Sequence, residues 1–173
     1  MAEPGLARPD ASASTPIAQT IPSADQTPAL FVTLLRRGAV MPAYQTSGAA
    51  GFDLHACLES GEPIPLEPGN IVVVPTGLAM AIPEGFEGQV RPRSGLASKF
   101  GVTLPNAPGT IDWDYRGEIK VPLVNLGRQV VAIEPGMRIA QMVISPVVRV
   151  RIVASRSLDA TARGSGGFGS TGR

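Results

Sequence analysis

The chain has 173 residues, a length that fits one domain with a core of ordinary size and argues against a second catalytic domain. Fifteen Lys and Arg against fourteen Asp and Glu give a formal net charge of +1, which excludes bulk electrostatic attraction to nucleic acid or membrane. Gly (20) and Pro (17) interrupt a chain that is 43% hydrophobic, so a core can form but long helices are disfavoured.

Residues 1–28 carry five prolines, many small residues, and Arg8 alone against Glu3, Asp10 and Asp25. They lack the basic start and apolar stretch of a secretory signal and are too acidic for an organelle transit peptide. A disordered extension is expected, because this composition cannot bury enough apolar surface to offset ordering entropy. From residue 29 onward, short β-branched runs alternate with turn signals. Strands are predicted at Leu30–Leu35, Gly51–Cys57, Ile71–Val74, Leu78–Ile82, Gly88–Arg91, Val102–Leu104, Glu118–Asn125, Gln129–Ile133, Ile139–Ile144 and Val147–Val153. Pro68-Gly69 and Pro135-Gly136 have the order a type II turn requires. One short helix is predicted at Ser94–Gly101, with Ser94 as N-cap and Gly101 as its stop. The expected division is an extension at 1–28, an all-β domain at 29–158 and a flexible glycine-rich arm at 159–173. Cys57 is the only cysteine, so no internal disulfide can form, and no apolar run approaches the roughly 20 residues of a membrane span. These features describe a soluble, cytoplasmic protein.

Several segments could carry chemistry. Gly164, Gly166 and Gly169 match G-x-G-x-x-G literally, but the dinucleotide fingerprint needs a following helix, and the Walker ending is missing. What remains is an arm with free backbone N–H groups, Arg163 and Phe168; it suits closure over a planar anion and equally suits a disordered tail. Arg93-Ser94-Gly95 at a helix start presents unpaired N–H groups and a guanidinium to an anion, or is simply a capped helix with a solvated arginine. Asp112 and Asp114, in the dense polar stretch Gly109–Glu118, fit a general-base or metal pair and also a solvated loop. Asp53 lies among strand-like apolar residues and needs a bonded partner. His55, the only histidine, cannot build a multi-histidine zinc site, and Cys57 reads as an inert thiol.

Five phrases in order are Ala50-Gly51-Phe52-Asp53-Leu54, Pro92-Arg93-Ser94-Gly95-Leu96, Asn106 through Gly117, Gly136 through Met142, and Arg163 through Gly172. Together they resemble the ordered motifs of the trimeric dUTP diphosphatase (dUTPase) family across residues 30–173. The resemblance implies a jelly-roll-like β-barrel homotrimer whose three active sites are shared between subunits. It implies Mg²⁺-dependent hydrolysis of dUTP to dUMP and pyrophosphate, which limits uracil incorporation into DNA and supplies dUMP for thymidylate synthesis. On these positions Asp112 resembles the base that orients the attacking water, and Tyr115 the ring beneath the deoxyribose. Asn106 and the backbone of Gly109, Thr110 and Ile111 would read uracil. Arg93, Ser94, Gly95 and Gln141 would bind phosphate, Asp53 would hold the metal through water, and Arg163, Phe168 and Gly169 belong to the closing arm. Trp113 has no role in this scheme beyond packing or a subunit contact. The alternatives are a dCTP deaminase-like enzyme and a non-catalytic β-barrel nucleotide-binding regulator.

Overall fold

The computed structural model describes residues 27–167 and Ser170. Nearly all of the predicted extension, together with Phe168 and Gly169, therefore lies outside the described residues. The elements are β1 (Phe31–Leu34), β2 (Phe52–His55), β3 (Ile64–Leu66), β4 (Ile71–Ala81), β5 (Phe86–Pro92), α1 (Ser94–Phe100), β6 (Val102–Thr103), β7 (Gly109–Ile111), β8 (Glu118–Asn125), β9 (Val131–Ile133) and β10 (Arg138–Pro146).

All pairings are antiparallel. One four-stranded sheet runs β1-β4-β8-β6, a second runs β2-β10-β5-β7, and β3 with β9 forms a ribbon. Among the described residues no ladder joins them into a closed barrel, so the expectation holds as a mostly β fold with one short helix, and the barrel itself is not found. Inward residues of both large sheets, including Leu54, Val90 and Met142 from one and Val74, Met80, Val121 and Leu123 from the other, meet in one core. In β8, Ile119, Val121 and Leu123 alternate inward with no exposure at all. Burial of each such side chain contributes about 1.5–3 kcal/mol. The two buried polar side chains among the described residues, Thr76 and Asn125, are both hydrogen-bonded. Asn125 donates from Nδ2 to Leu66 O at 2.9 Å and Gln129 O at 2.8 Å, and its Oδ1 accepts from Gly127 N at 2.8 Å.

Four local expectations need correction. The runs Ile71–Val74 and Leu78–Ile82 belong to one strand, β4, whose register slips between Pro75 and Ala79; Pro75 and Gly77 mark a bulge there, not a break. Strand β3 is absent from the predicted strands; it contains Pro65, which is tolerated because in a two-stranded ribbon one edge of the strand needs no ladder partner. Val147–Val153 alternates like a strand yet makes no ladder, and Val148, Val150 and Ile152 stand 87%, 76% and 94% exposed. The helix N-cap is Arg93 in extended conformation, without a side-chain cap bond, and Ser94 is the first helical residue. At the other end Gly101 stops the helix as expected: its φ of 71° is left-handed, and a Cβ there would come within 2.6 Å of Gly127 N. Both Pro-Gly turns form, with Asn70 N donating to Glu67 O and Met137 N to Glu134 O, each at 3.1 Å.

Candidate active site

Strand β10 runs between β2 and β5, and its register sets Gln141 opposite both Asp53 and Arg91. Residues directly opposite in an antiparallel pair share a face, so this row collects an acid, an amide and a guanidinium on one side of the sheet. Asp53 finds the partner its apolar setting requires, and finds two. Arg93 Nε lies 3.0 Å from Oδ1, and Arg138 Nη1 lies 3.2 Å from Oδ2. Arg93 also donates from Nη1 to Arg138 O at 3.2 Å, and Gln141 Nε2 donates to Pro92 O at 3.2 Å. At the end of β5 the chain enters α1, where Ser94 and Gly95 are exposed and open space lies over the Gly95 Cα. His55 follows on the same strand, opposite Arg138, and its buried Nδ1 has no hydrogen-bond partner. Burial pushes the imidazole below its ordinary pKa; Asp53 opposes this, while Arg138 and Arg93 reinforce it.

The second cluster is the turn between β7 and β8. Strand β7 pairs with β5, Gly109 opposite Val90 and Ile111 opposite Gly88, which fixes the hairpin backbone to the same sheet. A Cβ on Gly109 would come within 3.3 Å of Asn106 Nδ2, so glycine leaves the amide room to lie against the strand. Beyond β7 the chain folds back: Tyr115 N donates to Asp112 O at 3.1 Å, and the Tyr115 hydroxyl donates to Glu118 O at 3.1 Å. The phenol packs against Gly117 so closely that any side chain there would collide with it. Arg116 braces the turn from Nη1 to Trp113 O at 2.7 Å and Tyr115 O at 2.9 Å. The result is a cup of about 220 Å³ lined by Thr110, Ile111, Asp112, Tyr115, Glu118 and Lys120. Asp112 and Tyr115 both stand at its exposed rim.

The dUTPase family model matches residues 37–172. The chain belongs to the dUTPase family. Deoxyuridine 5'-triphosphate nucleotidohydrolase of Rhizobium leguminosarum bv. trifolii (strain WSM2304) is 58% identical over 135 residues, covering 78% of this chain and 86% of that protein. The protein of the same name from Desulfotalea psychrophila (strain LSv54 / DSM 12343) is 60% identical over 132 residues, covering 76% and 87%. Among solved structures, the dUTPase of Staphylococcus bacteriophage 80alpha with dUpNHpp superimposes with a TM-score of 0.73 at 30% identity, covering 85% of this chain and all of that one. A variant dUTPase from phage phi11 of S. aureus, described with a structural Mg(II) ion, gives 0.67 at 26% identity, covering 75% and 97%.

Within this dUTPase-family chain the expected site residues form two groups. Asp53, Arg93 and Gln141 share one face with the start of α1, where Ser94 and Gly95 lie; Asn106, Gly109, Thr110, Ile111, Asp112 and Tyr115 belong to the cup and its hairpin. No side-chain hydrogen bond or ion pair links the groups among the described residues. Arg163 joins neither: its Nε donates to Gly166 O at 2.9 Å within its own turn. Asp114 is exposed, and no set of three His, Cys, Asp or Glu side chains among the described residues could hold a metal, so the paired-aspartate metal reading has no third ligand. Trp113 lines a separate cavity of about 390 Å³ with Glu84, Phe86, Glu87, Val147 and Arg149, and Thr110 and Asp112 border both spaces. Arg138, the second partner of Asp53, was missed in the sequence although it lies in the Gly136–Met142 phrase; only strand register brings it beside residue 53. Glu118 and Lys120 were read as strand residues and line the cup as well.

Proposed function

We infer that this chain is a dUTP diphosphatase, hydrolysing dUTP to dUMP and pyrophosphate. The observation that carries the reading is the cup in which Asp112 and Tyr115 share one rim, within a stretch that belongs to the dUTPase family throughout. In this reading Tyr115 packs beneath the deoxyribose, and Asn106 with the Gly109–Ile111 backbone pairs with the uracil edge. Asp112, exposed at the rim, takes the proton of a water held for in-line attack on the α-phosphorus. Base selection follows from the hairpin, since a mismatched edge leaves buried polar groups unpaired.

The triphosphate is assigned to the other group. A guanidinium has five donors, and Arg93 uses Nε and one Nη1 proton on Asp53 and Arg138 O, which leaves the others for phosphate. The N–H groups of Ser94 and Gly95 begin a helix and have no intrahelical acceptor. Gln141 completes this set, and the 159–173 arm brings Arg163, Phe168 and Gly169 over the bound nucleotide. Mg²⁺ fits here only in one form. Each Asp53 oxygen already holds one guanidinium, and each keeps a lone pair that a water can use, so the carboxylate suits an ion carried by phosphate oxygens and touched through its water shell. Bound there, Mg²⁺ supplies charge neutralisation to the phosphates.

We propose a homotrimer with shared sites, jelly-roll-like in each subunit. Two observations support it: among the described residues no side-chain hydrogen bond or ion pair joins the two site groups, and the apolar side chains of Val148, Val150 and Ile152 stand largely exposed. A cytoplasmic location suits a chain in which no described helix is long and apolar enough to cross a membrane. The dCTP deaminase-like alternative is not favoured, and a non-catalytic regulator would not need Asp112 at an open rim. Pyrophosphate release from purified protein with Mg²⁺ and dUTP, dCTP or dTTP tests the reading. Release from dUTP alone is expected; none from dUTP, or equal release from all three, would overturn it.

A further inference from the structure

Glu118 has none of the roles assigned above, yet it is among the most constrained side chains near the cup. Its side chain is 11% exposed, and both carboxylate oxygens are engaged. Oε2 accepts from Arg36 Nη2 at 2.7 Å, and Oε1 accepts from the backbone N–H of Gly77 at 2.9 Å. The backbone oxygen of the same residue accepts the Tyr115 hydroxyl at 3.1 Å. One residue thus ties the ring of the cup to the segment after β1 and to the bulge in β4.

Those two attachments are themselves held. Gly77 has a φ of 68°, and a Cβ would approach Ala39 Cβ to 2.8 Å and Cys57 Sγ to 2.9 Å, so only glycine can aim that N–H at the carboxylate. Next to it, Thr76 Oγ1 donates to Ile119 O at 2.6 Å and fastens the bulge to β8 one residue beyond Glu118. Arg36 also reaches Glu59 at 2.9 Å, but that acid is 74% exposed and the pair is screened by solvent. Lys120 Nζ, at 3.9 Å and 55% exposed, is a weak second partner. The Arg36–Glu118 contact is the sheltered, charge-assisted one.

We propose that Glu118 is a positioning residue for nucleoside selection: Arg36 and Gly77 fix its side chain, its carbonyl fixes the Tyr115 phenol, and the depth of that ring sets the space left at the sugar 2' position. The proposal rests on the dUTPase reading. Arg36 lies one residue before the matched stretch 37–172.

Steady-state kinetics on dUTP and UTP test it with Glu118→Ala, Glu118→Gln and Arg36→Met. A merely structural role would weaken both substrates alike and leave the dUTP/UTP ratio of kcat/KM fixed. A displaced ring is expected to narrow that ratio about tenfold in Glu118→Ala, mostly through kcat for dUTP, because a misplacement of about 1 Å can cost on the order of a hundredfold in rate. Glu118→Gln keeps an oxygen for Gly77 N–H and is expected to recover part of the ratio. Arg36→Met is expected to narrow it less, and it carries the comparison if Glu118→Ala does not fold. A folded Glu118→Ala or Arg36→Met enzyme with the wild-type ratio overturns the proposal alone. Wild-type protein without dUTP hydrolysis would remove the functional reading and the proposal with it.

Discussion

The turn from Asp112 to Glu118 and the stretch from Val147 to Gly167 are both irregular, both polar in part, and both belong to the dUTPase match. The first is bonded at nearly every step: phenol to carbonyl, guanidinium to two carbonyls, carboxylate to arginine and to a backbone N–H. The second exposes Val148, Val150, Ile152 and Leu158, and among the described residues the Arg163 side chain bonds only to its own turn. Among the described residues the first stretch is therefore braced from several elements, and the second is not. Apolar residues alternating in a strand pattern stay exposed only at a cost, and a neighbouring copy of the chain is the surface the trimer proposal supplies.

The largest effect is expected where the braced stretch meets the reaction. Asp112→Asn keeps the size of the side chain and removes its basicity, so turnover should fall on the order of 10²–10⁴-fold while dUTP still binds. Single-turnover assays with binding measured separately would check this; a variant retaining a tenth of wild-type turnover would take the base role from Asp112. Ending the chain after Ala162 probes the second stretch in the opposite way. The cup stays intact, the arm is gone, and hydrolysis should drop about a hundredfold with assembly unchanged by light scattering. Near-normal turnover would mean that the cup alone suffices.

Tyr115→Ala should lower turnover less than either change and also alter substrate choice. Without the ring, room opens beside the sugar, and the dUTP/UTP ratio of kcat/KM is expected to narrow about tenfold or more, mainly by damaging dUTP turnover. An unchanged ratio would place sugar reading elsewhere. Ile152→Asp tests the exposed stretch at still smaller cost to the isolated fold, since a side chain 94% exposed contributes nothing to its own core. The expected result is a trimer that dissociates at higher concentration than wild type in sedimentation; unaltered assembly would remove this stretch from the interface.

How much of this was visible in the sequence follows the same division. Glu118–Asn125 was read with its correct ends because its inward residues alternate and its turn signals are local. Val147–Val153 has an equally good pattern and forms no ladder, since alternation states that a face needs cover and not which chain provides it. Ser94 was taken as the N-cap on residue preference, whereas Arg93 occupies that place because its guanidinium is held by Asp53 from another strand. Arg138 and Arg36 escaped notice for one reason: each reaches its carboxylate across 82 or 85 residues of chain, a distance no local pattern encodes.

The smallest expected effect uses Cys57 to ask how firmly the anchored region is closed. The thiol is buried at 4% exposure beneath Gly77, its backbone N–H donates to Pro75 O at 2.8 Å, and its Sγ lies 3.7 Å from Arg37 O. Burial pushes its pKa up; the Arg36 guanidinium pulls the other way, and Glu118 and Glu59 add to the rise. A thiol with a raised folded pKa keeps its proton when the unfolded chain has begun to lose it, from about pH 8.5 upward. The folded state then binds more protons than the unfolded one, so stability is intact below that pH and declines as pH rises toward the folded value. Wild-type Tm should therefore fall more between pH 8 and 9.5 than that of Cys57→Ala, which has no thiol to titrate. Alkylation at pH 8 should likewise be slow until the protein is unfolded. Parallel Tm curves for the two proteins, or thiol modification as fast as in the denatured chain, would mean that the bulge around Gly77 opens readily, and the anchored half of the comparison would lose its rigidity.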